Sequence, residues 1–117
     1  MVMKVKIAVV SPRSYSVPGT KDEQKNIEIA KWYIEAAVKE EAKLVCFPEG
    51  YPGPFCGPLS YSGPDALCED AKKHGIYIIA SELEASLPGK CYTTAWLIGP
   101  DASKGRSKWE TGGGVRL

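Results

Sequence analysis

The sequence predicts an α/β fold, a mixed sheet with helices on one face. Three observations carry this. Short runs rich in valine and isoleucine alternate with segments of helical periodicity. Gly/Pro-rich stretches punctuate them. The last two apolar runs are separated by only a short polar connection, as a hairpin requires, so the sheet is not purely parallel.

Lys4–Ser11 (KVKIAVVS) reads as the first strand, ended by Pro12 and expected to be covered on both faces. Arg13–Gly19 is a loop. Thr20 and Glu23 have the spacing of a capping box, and a helix is expected from there to about Ala42. Its apolar positions Ile27, Ala30, Ile34, Ala37 and Val38 fall on one face. Leu44–Phe47 is a short buried strand stopped by Pro48. The segment Gly50–Gly63 is crowded with glycine and proline and reads as a loop. A second helix opens at Pro64-Asp65 and runs to about His74, with Gly75 suited to the left-handed cap and His74 suited to the helix C-terminus. Ile76–Ser81 is the third strand, Glu82–Lys90 a turn, and Cys91–Ile98 the fourth strand, stopped by Gly99-Pro100. Asp101–Leu117 shows no periodicity, and poor order is expected beyond Trp109.

With 117 residues the chain has the size of one domain, and its 44% apolar and 25% charged content is ordinary for a globular protein. A net charge of +1 without a basic stripe gives no reason to expect nucleic acid or a membrane surface as partner. The longest apolar runs fall far short of the ~20 residues a membrane helix needs. Lysines interrupt the N-terminal run, so it reads as a strand and not a leader, and a cytoplasmic location is the default expectation. The four cysteines form no C-x-x-C pair and there is one histidine, so neither a zinc site nor any other metal site is expected.

Phe47-Pro48-Glu49-Gly50-Tyr51-Pro52-Gly53 is the stretch that points to chemistry. Glu49 directly follows a buried strand, and in sheets covered by helices ligands bind beyond the carboxyl ends of the strands. Partial withdrawal from water would suit a carboxylate to general-base work. By position alone it could equally be an exposed loop glutamate or the partner of a lysine. Tyr51, Phe55 and Tyr61 could line a substrate pocket there or cover the sheet edge. Glu82 and Glu84 could approach Glu49, with a solvated turn as the plainer reading. Cys56, in the same loop, is the cysteine nearest to Glu49 after the strand.

Together, the strand–Pro–Glu49 signature, Ala71–Ala80, Gly89–Ala95 and Leu97–Asp101 resemble the front part of a nitrilase-superfamily (carbon–nitrogen hydrolase) domain over about residues 4–106. The resemblance implies half of an α-β-β-α sandwich and a domain spanning 4–109, followed by a flexible tail, 110–117. It implies hydrolysis of small amides, nitriles or N-carbamoyl compounds by a glutamate, a lysine and a cysteine, without cofactor or metal. Glu49 takes the place of the general base. Thr93 stands where the family often has an asparagine. Lys108 is the candidate lysine, although register from Gly105 puts Trp109 at the family's position. No cysteine here lies in the family's nucleophile motif, and the chain ends before the place of that motif. A partial domain inactive alone is therefore expected. The alternative is a non-catalytic remnant or an oligomerising interaction module. A flavodoxin-like or receiver-type domain fits poorly, given the hairpin and the lack of an acidic cluster after the first strand. Half a sandwich would leave one apolar sheet face open, from which a homo-oligomer is expected.

Overall fold

The computed structural model describes residues 4–15, 24–54, 62–87 and 90–110; for 84–87, 90–91 and 106–110 it describes the backbone. The elements run β1 (Ile7–Val9), α1 (Lys25–Lys39), β2 (Leu44–Cys46), α2 (Gly63–Ala66), α3 (Cys68–His74), β3 (Tyr77–Leu87), β4 (Lys90–Ile98) and β5 (Lys104–Glu110). They form one mixed sheet in the order β1-β2-β3-β4-β5. The first three strands are parallel, and β4 and β5 follow as antiparallel neighbours. The α/β class and the β3–β4 hairpin are as the sequence predicts.

Helix α1 buries Asn26, Ala30, Ile34 and Ala37, a stripe at helical spacing. The expected capping box lies outside the described residues. The C-terminus falls short of Ala42 because Glu41 takes a left-handed φ of 64° and Ala42 donates back to the Ala37 carbonyl at 3.0 Å. That closure turns the chain straight into β2. The second expected helix is two, broken at Leu67. Ser62 caps the first by accepting from the Asp65 N–H, and Gly75 (φ 65°) ends the second as expected.

The core lies on one face of the sheet. Val45, Ile78, Ala80 and Ile98 are buried there in one cluster with Ala30 and Ile34 of α1 and with Leu67 and Ala71. The opposite face is open. Its register groups Ile7 and Val9 with Leu44 and Cys46, these with Tyr77 and Ile79, and Ile79 with Leu97. Val9 is 81% exposed, and Ile7, Tyr77 and Leu97 are each about half exposed. This corrects the expectation that the first strand is covered on both faces: α1 covers one, and no described residue packs over the other.

Two boundaries also differ. β3 runs on to Leu87, through the expected turn. Glu82 continues the strand with its carboxylate buried, because Ser62 Oγ donates to it at 2.7 Å. A satisfied buried carboxylate looks like a solvated turn residue in the sequence. β5 was expected only as an aperiodic segment; its register with β4 makes it a strand up to Glu110. The rest of the expected tail, 111–117, lies outside the described residues.

Candidate active site

Glu49 lies just beyond the C-terminal end of β2, in a turn whose neighbour Gly50 has a φ of 72°. Few side chains tolerate that conformation, so glycine lets the chain loop out after the carboxylate and rejoin β3 in the same direction. The segment that follows does not wander. Phe47 N–H donates to the Ile79 carbonyl (2.9 Å), Ser81 N–H to Tyr51 (2.8 Å), Gly53 N–H to Ser81 (3.2 Å) and Leu83 N–H to Pro54 (2.7 Å). Residues 50–54 thus continue alongside β3, with Pro52 in a parallel bridge to Ser81. Ser81 Oγ also accepts from the Gly50 N–H. Glu49 is therefore carried by backbone bonded to the sheet on both sides of the turn.

The carboxylate has one described side-chain partner. Thr93 Oγ1, in β4 and fully buried, donates to Glu49 Oε1 at 3.1 Å. Glu49 itself is exposed. A buried donor beneath an exposed acceptor fixes one oxygen and leaves the other available to solvent or a ligand.

Tyr51, a candidate pocket residue from the sequence, turns inward. It is 2% exposed, stacks on Phe47 with centroids 5.6 Å apart, and donates its hydroxyl to the Asn26 carbonyl at 3.1 Å. Burial, and then the neighbouring Tyr33, push its phenol well above the usual tyrosine range. The Asn26 side chain in turn accepts from the Tyr15 N–H (2.8 Å) and donates to the Tyr15 carbonyl (3.1 Å). Tyr51 and Asn26 thus tie the site loop to α1 and to the segment after β1. This role was not read from the sequence; the signal available was a polar Asn26 in register with the apolar stripe of α1.

Gly63 closes the far side of the loop. Its N–H donates to Gly53 O at 3.0 Å, and a Cβ there would come within 2.6 Å of Gly53 O and of Pro52 Cγ. Glu82 is brought not to Glu49 but to Ser62. Its register partner is Thr94, whereas Thr93, which holds Glu49, pairs with Leu83.

Among the other candidates, Lys108 pairs in register with Thr94, and Trp109 with Thr93. Phe55, Cys56 and Tyr61 lie outside the described residues, and of Glu84 and Cys91 only the backbone is described. Cys46 and Cys68 are free, half-buried thiols, and burial pushes the Cys68 thiol up, away from reactivity. No group of three or more potential metal ligands occurs among the described residues.

The geometry defines a helix-covered sheet with a carboxylate presented at the end of its second strand. The family model for carbon–nitrogen hydrolases matches residues 6–109, and the chain belongs to that family. Omega-amidase NIT2 of Danio rerio is 28% identical over 86 residues, a match that covers 67% of this chain and 31% of that protein. The crystal structure of a carbon–nitrogen hydrolase from Helicobacter pylori G27 superposes with a TM-score of 0.66 at 20% identity, covering 90% of this chain and 39% of that one. A mutant amidase from Nesterenkonia sp. AN1, showing Michael addition of acrylamide at its active-site cysteine, superposes with a TM-score of 0.67 at 15% identity, over 92% of this chain and 44% of that one. These likenesses show the shared fold. The chain spans less than half the length of each of these relatives.

Proposed function

We propose that this chain carries the general-base part of a site that hydrolyses carbon–nitrogen bonds in small amides, nitriles or N-carbamoyl compounds. The observation that carries the reading is the Glu49 carboxylate, held by Thr93 at the end of β2 within a chain matched by the family model over 6–109. In such a site the glutamate takes a proton from a thiol, whose sulfur attacks the amide or nitrile carbon, and an ammonium group steadies the charge that develops on the substrate. The proposal assigns the ammonium to Lys108 by resemblance. Its pairing with Thr94, and not with the Thr93 that holds Glu49, works against that assignment.

No cysteine of this chain lies in the family's nucleophile motif, so on its own it is proposed to bind small amides without turning them over. The second reading, a non-catalytic remnant that keeps the fold, is favoured by the same feature. A homo-oligomer and a cytoplasmic location complete the proposal. The first is supported by the open apolar face. The second rests on the sequence alone; among the described residues no helix is long and apolar enough to cross a membrane.

The test is an NMR titration of the chain with a small primary amide, run beside a hydrolysis assay before and after iodoacetamide. The reading expects shifts of the Gly50 and Thr93 amides that disappear in Glu49→Gln, with no turnover. An absence of shifts, or shifts indifferent to Glu49→Gln, favours the remnant. Thiol-sensitive turnover would show that one of the chain's own cysteines acts as nucleophile.

A further inference from the structure

Ser81 lies within β3 and is 4% exposed, a polar side chain directly after the apolar run Ile78–Ala80. A buried hydroxyl is unfavourable unless it is bonded. This one is bonded twice, both times to the same short turn. Its Oγ accepts from the Gly50 N–H and donates to the Pro48 carbonyl at 3.5 Å. The Pro48 carbonyl belongs to the peptide group before Glu49, and the Gly50 N–H to the one after it. One oxygen therefore touches both peptide groups that flank the carboxylate residue.

The Ser81 main chain is itself held still. It donates to Tyr51 O at 2.8 Å, accepts from Gly53 N–H at 3.2 Å, and stays in register with Ala95 of β4. The turn it touches has a freedom of its own. Tyr51 N–H donates to Pro48 O at 3.1 Å, so Glu49 and Gly50 are the central residues of a β-turn. The two commonest turn types differ by a rotation of the peptide group between those residues, and a glycine in the third position accepts either. That peptide group carries the Gly50 N–H. In the rotated form the N–H leaves Ser81 Oγ, the φ of Gly50 changes sign from its present 72°, and the Cα–Cβ bond of Glu49 turns with the backbone.

We propose that Ser81 is a positioning residue for Glu49, its hydroxyl locking the central peptide group of the turn that carries the carboxylate. Thr93 then has a fixed target. It pairs with Leu83, two residues along β3 from Ser81, so both hydroxyls belong to one face of the hairpin. Ser81 holds the main chain of the turn, and Thr93 holds the carboxylate. Without Ser81 Oγ the buried Gly50 N–H loses its acceptor, and rotation of the peptide group is the route by which it finds another. The lock rests on these bonds alone; its bearing on amide binding rests on the function proposed above for Glu49.

NMR of the chain separates the two. In the unmodified chain the Gly50 amide is expected to exchange slowly with solvent, and the three-bond couplings of Glu49 and Gly50 to report a single turn form. In Ser81→Ala the Gly50 protection is expected to fall about tenfold, the loss of one hydrogen bond, and the couplings to average between two forms. The Ile78 and Ile98 amides keep their protection. Ser81→Thr and Ser81→Val share one shape and differ in the hydroxyl. Threonine is expected to keep the single form and valine to lose it, which a purely packing role for position 81 would not produce. Affinity for a small primary amide is expected to drop about tenfold in the alanine and valine variants. A Gly50 amide that exchanges freely in the unmodified chain overturns the proposal. So do unchanged Glu49 and Gly50 couplings in Ser81→Ala, or threonine and valine variants that behave alike. Couplings that change as expected in a chain that binds no amide would uphold the lock and sink the hydrolase reading.

Discussion

Leu97 and Ile98 are neighbours in one strand and live in different environments. Ile98 is fully buried under the helices, and Leu97 is 48% exposed on the other face. The contrast extends across the sheet. On the helix side, Val45, Ile78 and Ala80 pack against α1 and against Leu67 and Ala71. On the other, Ile7, Val9, Tyr77 and Leu97 form an apolar surface that no described residue covers. Both faces are equally apolar in sequence. An unbroken apolar run thus reports that both faces are built for burial, and not what buries each of them.

Substitutions on the two faces test the contrast directly. Ile98→Ala is expected to cost about 3 kcal/mol of folding stability by urea denaturation, as deep core truncations do. Leu97→Ala is expected to cost less than about 1 kcal/mol in the dilute chain, because a half-exposed leucine leaves little cavity. Equal losses would mean that the open face is already covered in solution. Gly63→Ala comes next, at about 1–3 kcal/mol, since its methyl group must displace Gly53 O or Pro52 where α2 meets the site loop. The smallest change is Tyr51→Phe, which removes the hydrogen bond to Asn26 O for about 1 kcal/mol near neutral pH. It also alters the alkaline limb. The Tyr51 phenol is raised in the folded state, so its contribution is fully present below the tyrosine's unfolded value of about 10 and falls as pH rises beyond it. Urea midpoints measured between neutral pH and the alkaline range should decline less steeply in Tyr51→Phe than in the unmodified chain.

The covered half of the fold was legible because its signals are local. The apolar stripe from Ala30 to Ala37, the Pro48 stop and the Gly75 cap each announce themselves within a few residues. What escaped notice depends on partners distant in sequence. Glu82 becomes a strand residue through its register with Thr94 of β4, and its carboxylate finds a hydrogen-bond donor in Ser62, twenty positions earlier. β5 becomes a strand only through its register with β4, since KGRSKWE carries no alternation of its own. Likewise at the candidate site, the position of Glu49 was readable from the strand–proline boundary. The Thr93 hydroxyl beneath it and the Asn26–Tyr51 tie were not, because each joins residues far apart in the chain.

The hydrogen bond from Gly63 to Gly53 ties together the two ends of the stretch between them. Lengthening a loop whose ends are already joined adds only a slowly growing closure entropy, about 0.6 kcal/mol for each doubling. The hydrogen bonds that support Glu49 lie outside that stretch, in the frame formed by residues 50–54, β3 and Gly63. In this architecture the carboxylate belongs to a frame clamped to the sheet on both sides, and not to the stretch that the clamp encloses.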